Sequence, residues 1–176
     1  MKHFVGYPPS LNGHDRSTAW LPHRMLKQLY ARPFHQAIKE GDVLTAMESY
    51  NEIAGVPVVS SKQYLIDLLR HEMRFEGLLV TDYAEIENLK TFHKIVPTLK
   101  EAVKMTMLET SVDMSMVPLD PSFPLILKQL VEEGSVPEER IDESVRRILN
   151  VKNKLGLLEN PLLPANDPLV DTVGQD

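Results

Sequence analysis

At 176 residues the chain is ordinary for one domain and short for two. A composition of 43% hydrophobic and 25% charged residues suits a soluble globular fold with a real core, and a formal net charge of −6 without a basic cluster argues against a nucleic-acid partner. Without cysteine there are no disulfides or thiolate metal sites, no apolar run reaches the length of a membrane span, and no signal-peptide core follows Met1.

Met1 to Gly6 reads as a strand already in progress. Tyr7 to Trp20, rich in Pro, Gly, Asn and Asp, is a long loop, and loops of that length are more often functional than filler. Pro22 opens a helical pattern carried by Met25, Leu29, Phe34, Ala37 and Ile38, with Pro33 expected to bend or interrupt it before Gly41. Val43 to Tyr50 is the second strand and Asn51 to Ser60 the loop after it. Ser60 or Ser61 is expected to cap a helix whose buried face is Tyr64, Leu65, Leu68, Leu69 and Met73. Leu78 to Asp82 is the third strand, apolar enough to be covered on both faces.

A short helix follows at Ala84 to Leu89, and a longer one at Leu99 to Thr110. Ser111 to Val117 is the fourth strand. Met105, Met107, Met114 and Met116 read as core filler. Two closing helices span Pro121 to Gly134 and Pro137 to Leu155, with Gly156 as the C-cap and the charges around Arg146 and Arg147 as a solvated face. Residues 1–160 form one domain on this reading, and 161–176 a linker or loose tail. Strict alternation of strand and helix gives a parallel sheet. Four strands are half of a (β/α)8 barrel, which typically takes about 250 residues.

In such barrels the chemistry gathers at the C-terminal ends of the strands. Here those ends offer Lys2 and His3, then Ser49, Tyr50 and Asn51, then Asp82 and Tyr83, then Asp113 and Ser115. Asp82 taken alone reads first as the cap of the following helix. Four such ends on one rim would suit a polyhydroxylated ligand: cationic donors for hydroxyls, an aromatic face for a ring, and a carboxylate for an oxocarbenium ion. No histidine has metal-ligand spacing, no glycine-rich phosphate loop is present, and no cofactor is implied.

Lys-His-Phe at 2–4, Met-Glu-Ser-Tyr-Asn-Glu-Ile-Ala-Gly-Val-Pro at 47–57 and Gly-Leu-Leu-Val-Thr-Asp-Tyr at 77–83 resemble glycoside hydrolase family 3, the β-glucosidase family. So do Asp-Met-Ser-Met-Val-Pro at 113–118 and Arg-Ile-Asp-Glu-Ser-Val-Arg-Arg-Ile-Leu at 140–149. The resemblance implies a (β/α)8-type catalytic domain followed by an α/β sandwich, and retaining cleavage of terminal β-D-glucosyl residues through a covalent glycosyl-enzyme. By position, Asp82 corresponds to the nucleophile. Lys2 and His3 correspond to the pair that grips sugar hydroxyls, and Tyr50 to an aromatic residue beside the nucleophile. Tyr83 stands where Trp is commoner, Ala54 where Asn or Asp is usual, and Val59 where His is frequent. Val5-Gly6-Tyr7 after Lys-His-Phe fits the glucosidase/xylosidase branch better than the hexosaminidase branch.

The family's strands before Lys2 and its second domain, which supplies the acid/base glutamate, have no counterpart in these residues. A retaining pair needs carboxyl groups about 5–5.5 Å apart. Glu48 and Glu52 are the only nearby acids with a plausible position, and nothing in the resemblance supports either. The chain alone is therefore expected to be inactive, a fragment or a non-catalytic remnant. Its open edges invite a second copy or a complementing half-barrel. The resemblance implies a β-linked glucoside as ligand and a soluble parent of periplasmic or extracellular type, with compartment left open.

Overall fold

The computed structural model describes residues 1–162, 167–172 and 174–175. Five short strands are present among them: β1 (Thr45–Met47), β2 (Glu52–Ile53), β3 (Val56–Pro57), β4 (Leu78–Tyr83) and β5 (Met114–Met116). β4 lies between β1 and β5 and is parallel to both, as its apolar run requires. The N-terminal segment joins the far side of β1 through a parallel bridge between Phe4 and Glu48. There Phe4 N–H donates to the Met47 carbonyl at 2.8 Å, and Met47 N–H to the Met1 carbonyl at 3.0 Å. The four expected parallel members are thus side by side in order, the first as a single bridge rather than a regular strand. Gly77 at the entry to β4 is required by close approach, since a Cβ there would lie 2.2 Å from the Leu44 carbonyl oxygen.

The helix expected after Pro22 is present in three parts. α1 (His23–Met25) runs through a π-helical stretch (Leu26–Ala31) into α2 (Arg32–Glu40). Pro33 falls in the first turn of α2, where its missing N–H costs least. The next helical segment, Gln63–Glu72, is π-helical and buries Tyr64, Leu65, Leu68 and Leu69 as expected. Neither serine caps it: the Ser60 hydroxyl donates to the Pro57 carbonyl at 3.2 Å, and Ser61 offers only its carbonyl, to Leu65 N–H at 3.0 Å.

α3 (Glu85–Thr91), α4 (Leu99–Glu109), α5 (Ser122–Glu132) and α6 (Glu138–Lys154) follow close to their predicted places. Gly156, at φ 68°, closes α6 with its N–H on Asn153 and the Leu157 N–H on Lys152 at 3.0 Å, a Schellman turn. One core cluster, including Phe4, Leu65, Leu69 and Leu79, packs the sheet on the π-helical segments. The other, including Leu89, Val103 and Leu130, joins α3, α4 and α5. Met107 is core, whereas Met114 is half exposed on the sheet edge.

Three expectations are corrected here. The segment after Asn51 is not all loop: β2 and β3 form an antiparallel hairpin whose central residues, Ala54 and Gly55, have φ of 52° and 85°, as a primed turn requires. Asp113 does not face the rim. Its side chain is fully buried and accepts from Arg70 Nη2 at 3.0 Å, Leu79 N–H at 2.9 Å, Ser144 Oγ at 2.9 Å and Arg147 Nη1 at 2.8 Å. Arg140 donates beside it to the carbonyls of Met107, Thr110 and Val112. Arg140, Ser144 and Arg147 share one helical face. The charged side of α6 is therefore not merely solvated; it clamps the helix to the sheet. Within 161–176, the described residues form turns and a short 3₁₀ segment, Val170–Thr172, and the remainder lie outside the described residues.

Candidate active site

The C-terminal end of β4 departs from a regular ladder. Val80 pairs with Met114 and Tyr83 with Met116, so β4 carries one residue more than β5 over the same span. At that irregularity the Met116 N–H donates to Thr81 Oγ1 at 2.9 Å. On the other side the Asp82 N–H donates to Glu48 Oε1 at 2.8 Å rather than to a backbone carbonyl. An extra residue of this kind bends a strand and re-aims a side chain. Ala84 then takes a left-handed φ of 55° and begins α3 without any side-chain cap. Asp82 is thus not the helix cap, which leaves its carboxylate for other work.

One oxygen of that carboxylate, Oδ1, accepts the Tyr83 N–H at 2.7 Å. The other, Oδ2, lies 3.5 Å from His3 Nε2 and is buried without a hydrogen-bond partner among the described residues. Tyr50 stands alongside, its hydroxyl donating to the Tyr83 carbonyl at 3.1 Å. Burial, and after it the negative charge of Asp82, push the Tyr50 phenol up to about 12. The Tyr83 ring is half exposed at the rim. Lys2 is exposed and lines a recess with His3, Tyr7 and Tyr30, rather than touching Asp82 in this structure. The structure therefore gathers His3, Tyr50, Asp82 and Tyr83, sets Lys2 to one side, and removes Asp113 altogether.

Two residues at this rim, Arg16 and Tyr7, were given no site role by the sequence, and a third, Glu48, was named only as an acid of plausible position. Arg16 caps the Tyr50 ring at 3.9 Å from its centroid. Tyr7 packs on His3 with ring centroids 5.5 Å apart, and its hydroxyl donates to Asp15. Both come from the long loop, whose length was the only signal. Glu48 directly follows β1, beside the end of β4 that carries Asp82, and it is wholly buried. Burial, with the neighbouring charge of Glu85 added, pushes its carboxyl well above the usual range, against the lowering effect of the Asp82 N–H. Glu52 is engaged elsewhere. It accepts from Thr18 Oγ1 at 3.0 Å, and its Oε1 lies 2.8 Å from Nδ1 of the buried His93, whose Nε2 lies 2.8 Å from Glu85. Neither acid is placed as a free proton donor at the rim.

Residues 1–151 match the profile of the Glycosyl hydrolase family 3 N terminal domain. The chain belongs to glycoside hydrolase family 3. A "Lysosomal beta glucosidase" of Dictyostelium discoideum is 47% identical over 174 residues, covering 99% of this chain and 21% of that protein. A "Periplasmic beta-glucosidase" of Salmonella typhimurium is 32% identical over 177 residues, covering 98% of the chain and 22% of the relative. Among solved structures, a mutant beta-glucosidase from Listeria innocua in complex with laminaribiose superposes with a TM-score of 0.90 at 34% identity, over 99% of this chain and 24% of that one. The fold is accordingly a partial (β/α)8 barrel of a β-glucosidase-like family member, and it spans between a fifth and a quarter of the length of these relatives. No helix among the described residues is long and apolar enough to cross a membrane.

Proposed function

We propose that this chain carries the nucleophile side of a retaining β-glycosidase site, taking terminal β-D-glucosyl residues. A carboxylate oxygen of Asp82 attacks the anomeric carbon as the bond from that carbon to the leaving oxygen breaks. The leaving oxygen takes its proton from an acid/base group outside the described residues. A water molecule then attacks the same carbon, gives up its proton to that group, and releases Asp82 as a carboxylate. His3, Lys2 and Tyr50 orient the sugar and Tyr83 borders it. The observation that carries this reading is the Asp82 carboxylate at the end of a covered parallel strand, with one oxygen unserved by the described residues. The glucosyl preference draws on the β-glucosidase names of the relatives, and the remaining strands of the barrel come from further residues of a parent protein or from a partner.

An activated 2-deoxy-2-fluoro-β-glucoside separates catalysis from its acid, because its leaving group departs without a proton. The expected result is a stable added glycosyl mass on the intact chain that disappears in Asp82→Ala. No added mass on a folded, cooperatively melting chain would sink the nucleophile reading and leave a non-catalytic remnant.

A further inference from the structure

Glu48 is fully buried, and no cationic side chain among the described residues forms an ion pair with it. Its Oε1 accepts the Asp82 N–H at 2.8 Å, and its own N–H donates to the Val80 carbonyl at 3.0 Å, so it brackets the last turn of β4 before the nucleophile. Its Oε2 is buried with no hydrogen-bond partner among the described residues, as is Oδ2 of Asp82. An ionised carboxylate with an orphan oxygen is costly to bury, and a second ionised carboxylate beside it raises that cost.

The surrounding groups make the same point by their arrangement. Asp82 faces Glu48 from β4, and Glu85 from α3 adds a further negative charge. Glu52 on β2 and Glu85 share the one buried histidine, His93, with 2.8 Å contacts to each. His3 leans on Asp82, and Arg16 on the Tyr50 ring. Among the described residues His3, His93 and Arg16 are thus engaged with an acid or ring other than Glu48, and Lys2 stands to one side. A cluster of four carboxyls in which three have a cationic or imidazole neighbour sheds charge most cheaply at the fourth.

Resting on the nucleophile reading above, we infer that Glu48 is a positioning residue that holds the backbone of Asp82 as a neutral, protonated carboxyl, leaving Asp82 the sole carboxylate beneath the sugar. The role needs an acceptor oxygen at Oε1, and it needs no charge. As a neutral group Glu48 adds no repulsion against an ionised Asp82. Once ionised, it would oppose the carboxylate form of its neighbour.

The test compares wild type, Glu48→Gln and Glu48→Ala in the rate of fluoroglucoside labelling across pH. Glu48→Gln keeps the acceptor without the charge and should label at near the wild-type rate at low pH. Its alkaline limb should lie flatter than that of wild type. Glu48→Ala should label about 10²-fold more slowly, the loss expected when a reacting group shifts by about 1 Å, with little change in the reagent concentration needed for half-maximal rate. Glu48→Gln as slow as Glu48→Ala would mean the charge is needed, and Glu48→Ala as fast as wild type would mean nothing is positioned. Either overturns the inference.

A second readout does not depend on catalysis. Urea stability of wild type should fall more steeply with rising pH than that of Glu48→Gln, and parallel curves would overturn the neutral carboxyl. Diverging curves on a wild type that takes no label would instead sink the nucleophile reading alone. Should Glu48→Gln not fold, carbon-13 titration of the glutamate carboxyls in wild type supplies the answer, and finding every one ionised near pH 5 would reject it.

Discussion

Asp82 lies near the C-terminal end of β4 and Asp113 just before the start of the adjacent β5, and their oxygens are served very differently. Asp113 has both oxygens saturated by guanidinium, hydroxyl and main-chain donors, whereas Asp82 keeps one oxygen unserved among the described residues. A saturated carboxylate is structural; an unserved one is held in place for something else. Ala54 is a smaller departure of the same kind, spent on geometry alone. It is exposed and left-handed at φ 52° in the hairpin turn, where a Cβ costs about 1 kcal/mol and asparagine is tolerated. Ala54→Asn should therefore raise the unfolding free energy by about 0.5–1 kcal/mol, read as a higher urea midpoint. Asp82, Tyr50, His3 and Tyr83 were legible as a group because each ends or borders a strand. Glu48 was legible only as an acid of plausible position, since nothing in its spelling says that its oxygen would reach the neighbouring main chain.

At the scale of elements, α6 is fixed to the sheet through Arg140, Ser144 and Arg147 around Asp113. Asp113→Ala would strip the carboxylate from the buried Arg70 side chain and loosen the half-buried Arg147, and breaking a buried pair costs about 3–5 kcal/mol. That is a large fraction of the stability of about 5–15 kcal/mol usual for a domain. The urea midpoint should fall accordingly, or the chain should fail to fold. The strand-helix alternation and the parallel order of the sheet could be read from apolar runs and proline or glycine punctuation. The hairpin could not, because Ala-Gly is a poor advertisement for a turn that Asn-Gly announces. Nor could the inward face of α6, whose arginines look like any solvated charge until the buried aspartate opposite them is seen.

For the whole molecule, the acidic rim sets the direction of its response to pH. Burial lowers the affinity of His93 for its proton, but the hydrogen bonds to Glu85 and Glu52 outweigh that and leave its pKa above 6.5. A raised histidine contributes stability that is complete below about 6.5 and lost as pH rises through the folded value. Glu48 and Glu85 are raised above 4.5 chiefly by burial, so each also favours the folded chain at low pH and loses that contribution as pH climbs through its folded value. Urea stability should therefore decline as pH rises above about 4.5, and His93→Gln should flatten the part of that decline above about pH 6.5.

The edge at β5 bears on a different quantity. Met114–Met116 pairs with β4 on one side and with no strand among the described residues on the other, leaving main-chain donors and acceptors ready for an extended partner. A strand tethered to the same chain would reach that edge in a first-order step, while a second copy arrives in a second-order one. Dilution then decides which partner wins the race, and substitutions that only deepen the folded well leave that choice unchanged.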